Sequence, residues 1–193
     1  MADIGKIMFN TKYGLEQAVL NGTKTMTRRL ANKISCEFVK PKYYVDEVIG
    51  VAQAYQNTGM TPDTLIYTTR KIDGKKVRGW YPAGETPGWK NKMFVSGEYM
   101  QHFIKITDCR MERLHDISDG DCLKEGIFID EGREAIDGNI YAFDVHGNKH
   151  TSRWYFPTPK DAFEGLITKL NGKDFWKENP YVYVYSFELI KPN

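Results

Sequence analysis

The β-prone runs of this sequence are short, and only a few stretches of helical spacing separate them. That pattern constrains the fold more than any other feature. Ile7-Met8-Phe9 reads as a first strand, and Glu47–Tyr55 (EVIGVAQAY), rich in small and β-branched apolar residues, as a buried one. His102–Leu114 alternates polar and apolar residues along a long strand, and Tyr181–Ile190 (YVYVYSFELI) is strongly β-prone. Between them, Leu15, Ala18, Val19 and Leu20 fall at helical spacing after Thr11, a candidate cap, and Asn21-Gly22 stops that helix. Ile117–Gly126 reads as a second short helix, with Ser118 as cap and Asp119 and Asp121 near the positive end of its dipole. Thr158-Pro159 opens a third, with Phe163, Leu166, Ile167 and Leu170 on one face and Asn171-Gly172 as its stop. Short strands mixed with a few helices predict an α+β fold, a small barrel or sandwich. A doubly wound sheet is not expected, because regular strand–helix alternation and a GxGxxG motif are both missing.

Two stretches read as insertions. Residues 56–92 are rich in Gly, Pro, Thr and Lys, and Asp73-Gly74 lies between TLIYTTRKI and KKVRGWY, a strong hairpin signal. Residues 128–157 hold a second hairpin around His146-Gly147-Asn148. With 193 residues, the expected organisation is one domain over 1–193 carrying these two insertions.

Charge and cysteine content narrow the function class. The formal net charge of +2 excludes a uniformly basic nucleic-acid coat. Residues 1–100 hold 15 Lys/Arg against 9 Asp/Glu, and residues 101–193 hold 12 against 16, so the first half is the basic one. Cys36, Cys109 and Cys122 are odd in number and lack CxxC spacing, which predicts neither a disulfide framework nor a four-cysteine zinc site. A cytoplasmic location is expected, with no signal peptide and no membrane-spanning run.

The densest polar cluster is Gly22-Thr23-Lys24-Thr25-Met26-Thr27-Arg28-Arg29. Its three basic residues stand too close together to be read as core. In an extended chain Lys24, Met26 and Arg28 share one face, and Thr25, Thr27 and Arg29 the other. Arginine forks bind phosphate or carboxylate, and a desolvated lysine is a base, so the cluster reads as an anion pocket or as a solvated basic strand. Glu125 ends its helix, where an acid is unfavourable, which hints at a role beyond helix stability. His102, His115, His146 and His150 give no metal spacing, and no cofactor or metal is expected. In the arm, Trp80, Tyr81, Trp89 and Phe94 flank Arg70, Lys71, Lys75, Lys76, Arg78, Lys90 and Lys92. That mixture suits base stacking with phosphate contact, or an arm that packs its aromatics on the core.

Three motifs together resemble the ASCH domain of the PUA-like superfamily, in particular its phage- and mobile-element-like members. They are Gly22–Arg29, Arg113–Ser118 running on to Glu125-Gly126-Ile127, and Asn179–Val184. The resemblance implies a PUA-like β-barrel with a cleft beside the first motif, and a role in binding RNA or modified nucleotides. For the cleft it implies Gly22, Lys24, Arg28 and Arg29 as phosphate-binding residues. A bacterial branch of the family hydrolyses N-acylated cytidine with Lys, Thr and Glu, which match Lys24, Thr27 and Glu125 here. There the lysine would act as base toward the threonine hydroxyl. Many relatives have Gly-Asp where this chain has Val45-Asp46, and Arg-Glu in the strand that here reads Val51-Ala52-Gln53. The expected function is therefore binding of RNA or a modified nucleotide, with an amidohydrolase and a phage-type accessory interaction protein as alternatives. The oligomeric state stays open.

Overall fold

The computed structural model describes residues 4–34, 37–131, 140–146 and 151–190. In chain order its strands are β1 (Lys6–Ile7), β2 (Met26–Leu30), β3 (Lys33–Ile34), β4 (Glu37–Phe38), β5 (Val48–Val51), β6 (Leu65–Ile72), β7 (Lys75–Pro82), β8 (Phe103–Arg113), β9 (Phe128–Ile129), β10 (Tyr141–His146), β11 (Thr151–Phe156) and β12 (Tyr181–Ile190). The helices are α1 (Leu15–Leu20), α2 (Asp119–Lys124), α3 (Pro159–Asn171) and α4 (Lys173–Glu178). The fold is mixed α+β. Backbone packing divides the chain into two compact units, one from Met1–Phe9, Val48–Ile104 and Ile190–Asn193, the other from Asn10–Glu47 and Lys105–Leu189.

In the first unit, β1 runs parallel to β5, with Lys6 opposite Gly50 and Ile7 opposite Val51. The strand expected over 47–55 is confined to Val48–Val51. Tyr55 instead starts a 3₁₀ turn, closed by the Thr58 hydroxyl donating to the Tyr55 carbonyl at 2.7 Å. A local side-chain bond of this kind competes with a sheet ladder for the same backbone group. The core of this unit gathers Ala52, Tyr55, Ile66, Ala83, Val95 and Met100, with Trp89 packed against it. Strands β6 and β7 form the expected hairpin, and Asp73 (φ 48°) and Gly74 (φ 81°) both take the positive φ that its two-residue turn demands.

In the second unit, β12 lies between β8 and β2, antiparallel to β2 with Val184 opposite Arg28. Strands β9, β10 and β11 make a smaller ladder. The turn expected at Gly147-Asn148 lies outside the described residues, as does Cys36. Thr11 does not cap α1. Gly14, with φ 66°, occupies the cap position, and the Thr11 carbonyl accepts from the Gly14 amide in the turn before it. Ser118 and Thr158 do cap α2 and α3, accepting from the amides of Asp121 and Asp161. Helix α3 buries Ala162, Phe163, Leu166 and Ile167, and its Gly165 lets the Phe156 ring approach so closely that a Cβ would lie 2.5 Å from Cζ. Helix α4 follows at once, and its Trp176 ring meets His115 at a tilt of 39° with centroids 4.3 Å apart. Among the described residues, no helix is long and apolar enough to cross a membrane.

Candidate functional site

Two hydrogen-bonded links bring the first two motifs together in the second unit. After α1, the amides of Thr23 and Lys24 both donate to the Ala18 carbonyl, folding the chain back through Gly22 at φ 75°. The Thr25 amide then donates to the Lys124 carbonyl, which sets Lys24 beside Glu125 at the end of α2. The Lys24 ammonium donates to Glu125 Oε2 at 2.6 Å and to the Glu125 carbonyl at 2.7 Å.

Arg28, two residues into β2, meets the same carboxylate from the other side. Its NH1 donates to Glu125 Oε1 at 3.0 Å, its NH2 to Glu112 Oε1 at 2.6 Å and to Asp121 Oδ2 at 3.2 Å. Arg110 closes the network, donating to Asp121 Oδ2 at 2.7 Å and to Glu112 Oε2 at 3.1 Å. Three cations, Lys24, Arg28 and Arg110, thus face three carboxylates, Glu112, Asp121 and Glu125. The arrangement is internally neutral.

This corrects the expectation that the basic run does not belong to a core. Lys24 is 2% exposed, Arg28 8% and Glu125 5%. Full charges at that depth persist only when paired and hydrogen-bonded, and here the carboxylates do both. Arg29, by contrast, is exposed. Gly22 is exposed too, and its place is explained by the left-handed turn. The structure therefore joins Lys24, Arg28 and Glu125. Strand alternation sends the Thr27 side chain to the opposite face of β2 from Arg28, although Thr27 is also buried.

The pairing also sets the ionisation. Burial pushes the Lys24 ammonium below the ordinary lysine range, and the adjacent Glu125 carboxylate offsets part of that fall. For Arg28, burial works against the charge, but Glu125 and Glu112 outweigh it and hold the guanidinium above its usual value. Burial pushes the Cys122 thiol up to about 12, so it is an inert core group. Burial acts to raise Asp121, yet hydrogen bonds from Lys124 and Arg28 and the charge of Arg110 bring it below the usual carboxylate range. A carboxyl depressed in the folded state contributes stability that is fully present above its ordinary range and is lost as the pH falls from there through its lowered folded value. Acid unfolding of Asp121→Asn is therefore expected to be shallower than that of the parent chain from about pH 5 downward. Fluorescence-monitored acid titration of both proteins measures it.

Beside the network lies a cavity of about 310 Å³. Its wall is built by Tyr13, Gln17, Asn21 and Thr23 from the α1 region, by Gly126 and Phe128 after α2, and by Asp144, His146 and Arg153 from the β10–β11 hairpin. Gly126, at φ 102°, separates the cavity from the Lys24 stem, and a Cβ there would stand 3.1 Å from Leu15 Cδ2 and 3.6 Å from Lys24 Cδ. The Gln17 amide donates to Asn21 Oδ1 at 2.8 Å, which leaves Gln17 Oε1 as acceptor and Asn21 Nδ2 as donor for a ligand. Arg153 lies over the Phe128 ring at 5.2 Å and pairs with Asp130 and Asp144. Among the described residues, no group of three or more His, Cys, Asp or Glu side chains is arranged to hold a metal ion.

Sequence reading missed Glu112 and Arg110 as members of the network. Asp108, Arg110 and Glu112 fall on one face of β8 by strand period, and that charged face was the available signal. The cavity wall from β10 and β11 carried no such signal, because long-range folding assembles it. No protein-family model matches the chain, no curated protein is significantly similar to it, and no solved structure matches it significantly.

Proposed function

We propose that this protein binds a nucleoside or nucleotide, free or within RNA, in the cavity beside the Lys24–Glu125 pair, on a PUA-like scaffold of the ASCH type. The observation that carries the reading is the cavity. Its volume of about 310 Å³ lies in the range of small-molecule sites, and its wall combines aromatic rings with a few placed polar groups. The Tyr13 and Phe128 rings suit the face of a base, and the Gln17–Asn21 amide pair suits its hydrogen-bonding edge. The scaffold reading is supported by the placement of the three motifs: they fall on β2, on the end of β8 with α2, and on β12, and the three strands are neighbours in one sheet.

The neutral network makes the binding reading preferable to a phosphate pocket built on Arg28. The guanidinium already spends its fork on three carboxylates. It is also preferable to a lysine–threonine hydrolase, since Thr27 leaves β2 on the face opposite Arg28. Lys24 and Glu125 then serve as the rigid, buried floor beneath Gly126.

Isothermal titration with cytidine, uridine, adenosine, guanosine and N4-acetylcytidine tests the proposal. At least one nucleoside is expected to bind. Thr23→Trp, at an exposed position on the cavity wall, is expected to weaken it at least about tenfold with the thermal midpoint unchanged. No binding by any of the five, or binding indifferent to Thr23→Trp, would overturn it.

A further inference from the structure

The hairpin β6–β7 carries a second feature, which lies wholly in the first unit and does not depend on the cavity. Its register sets Tyr67 opposite Trp80, Thr69 opposite Arg78 and Lys71 opposite Lys76. Cross-strand partners project to the same side, and residues two apart along a strand share a face. One face of the arm therefore carries Tyr67 and Trp80 near its root and Arg78, Lys71 and Lys76 toward its tip. At its root the other face turns inward, since Ile66 is fully buried in the core of this unit. The first face stays open: Trp80 is 60% exposed and Tyr67 38% exposed.

A tryptophan left this exposed is not packing the arm onto a core. The Tyr67 and Trp80 rings lie 5.5 Å apart and tilted by 53°, a short aromatic platform rather than a closed stack. The Arg78 guanidinium sits 5.2 Å from the Tyr67 centroid, which holds a cation beside that platform. The arm's own acid, Asp73, lies in the turn at its tip, and Glu85 just beyond β7 is paired with Arg70, which projects from the opposite face. Three cations and two aromatic rings on one ribbon face, with no carboxylate at its paired strand positions, complement one chemistry. Bases stack on the rings and phosphates meet the cations.

We infer that the outer face of this arm binds single-stranded nucleic acid, with Trp80 and Tyr67 as the stacking platform and Lys71, Lys76 and Arg78 as the phosphate contacts. A duplex is excluded as the preferred occupant, because its base faces are already stacked and cannot reach the rings. Tyr67 and Lys71 are four residues apart, about 13 Å along the strand, so platform and cations engage neighbouring nucleotides of one strand.

Fluorescence anisotropy with labelled 12-nucleotide oligo-U and oligo-dT, and with a duplex of the same length, tests this on the full chain. The single strands are expected to bind more tightly than the duplex. Trp80→Ala is expected to weaken them about tenfold. The triple variant Lys71→Gln/Lys76→Gln/Arg78→Gln is expected to lower the salt slope by about 2. All of these side chains are exposed, so circular dichroism of the variants should match the parent. A preference for oligo-U over oligo-dT, or the reverse, assigns the strand as RNA or DNA within the proposal. Binding unaffected by both variants, equal binding of duplex, or complete displacement by polyglutamate would overturn it, the last in favour of an acidic protein partner. Nucleoside titration of the Trp80→Ala protein separates the two sites: it is expected to be unchanged whatever the arm binds.

Discussion

Glu125→Ala is expected to lower the unfolding free energy by about 3–5 kcal/mol, one of the largest losses any single substitution in this chain can cause. The reason is what remains behind. Glu125 accepts from Lys24 through Oε2 and from Arg28 through Oε1, and both cations lie almost out of solvent. Removing the carboxylate leaves two buried positive charges near one another. Arg28 keeps Glu112 and Asp121, whereas Lys24 loses the carboxylate at 2.6 Å that offsets its burial. Adding Lys24→Met to Glu125→Ala removes the buried ammonium that has lost its carboxylate and is expected to restore part of the loss. The two substitutions are therefore strongly non-additive. Urea unfolding of the two single variants and the double variant, with m-values unchanged, measures the coupling. Equal and additive losses would show that the pair is not held as a unit.

The second large effect is expected at Tyr55. Its side chain is fully buried among Ala52, Ile66, Ala83, Val95 and Met100, and its ring meets Tyr99 edge-on at 6.1 Å. Its hydroxyl oxygen accepts from the Ser96 amide at 2.8 Å. Tyr55→Ala opens a cavity of aromatic size and is expected to cost about 3–5 kcal/mol. Tyr55→Phe keeps the packing but leaves that amide without its acceptor, for a loss of about 1–3 kcal/mol. Because Ile66 of the arm and Ala83 just after it pack on this ring, amide exchange in β6 and β7 is expected to rise in the Ala variant and much less in the Phe variant. Similar losses in both variants would place the importance of Tyr55 in its hydroxyl rather than its ring.

Much of the fold was legible where a local signal decides local structure. Ser118 and Thr158 announced their helices because a cap is made within three residues of itself. Asp73-Gly74 announced its hairpin because few other residues accept positive φ in succession. Thr11 misled for the same local reason in reverse: a good capping residue stood four positions before a helix that Gly14 in fact begins. Helix α4 went unread, because its six residues pack through Trp176 on His115 and Phe163, contacts that no local pattern reports.

The candidate site was legible as a list of residues and not as a balance of charge. Lys24, Arg28 and Glu125 were singled out from the run at 22–29 and from an acid at a helix end, and the structure brings them together. What the sequence did not disclose was that Glu112 and Asp121 would neutralise Arg28. The basic run therefore reads as exposed and anion-seeking until folding supplies its partners. On the arm, by contrast, the hairpin register sorts the exposed Lys71, Lys76 and Arg78 to one side.

The central claim is that a nucleoside occupies the cavity beside Lys24 and Glu125. Mapping amide chemical shifts in a labelled sample during titration with the tightest-binding nucleoside tests it most directly. The expected result is a saturable set of shifts centred on Thr23, Gly126, Phe128 and His146, which disappears in Thr23→Trp. Absence of any saturable shift, or shifts centred away from the cavity wall and unchanged in Thr23→Trp, would contradict it.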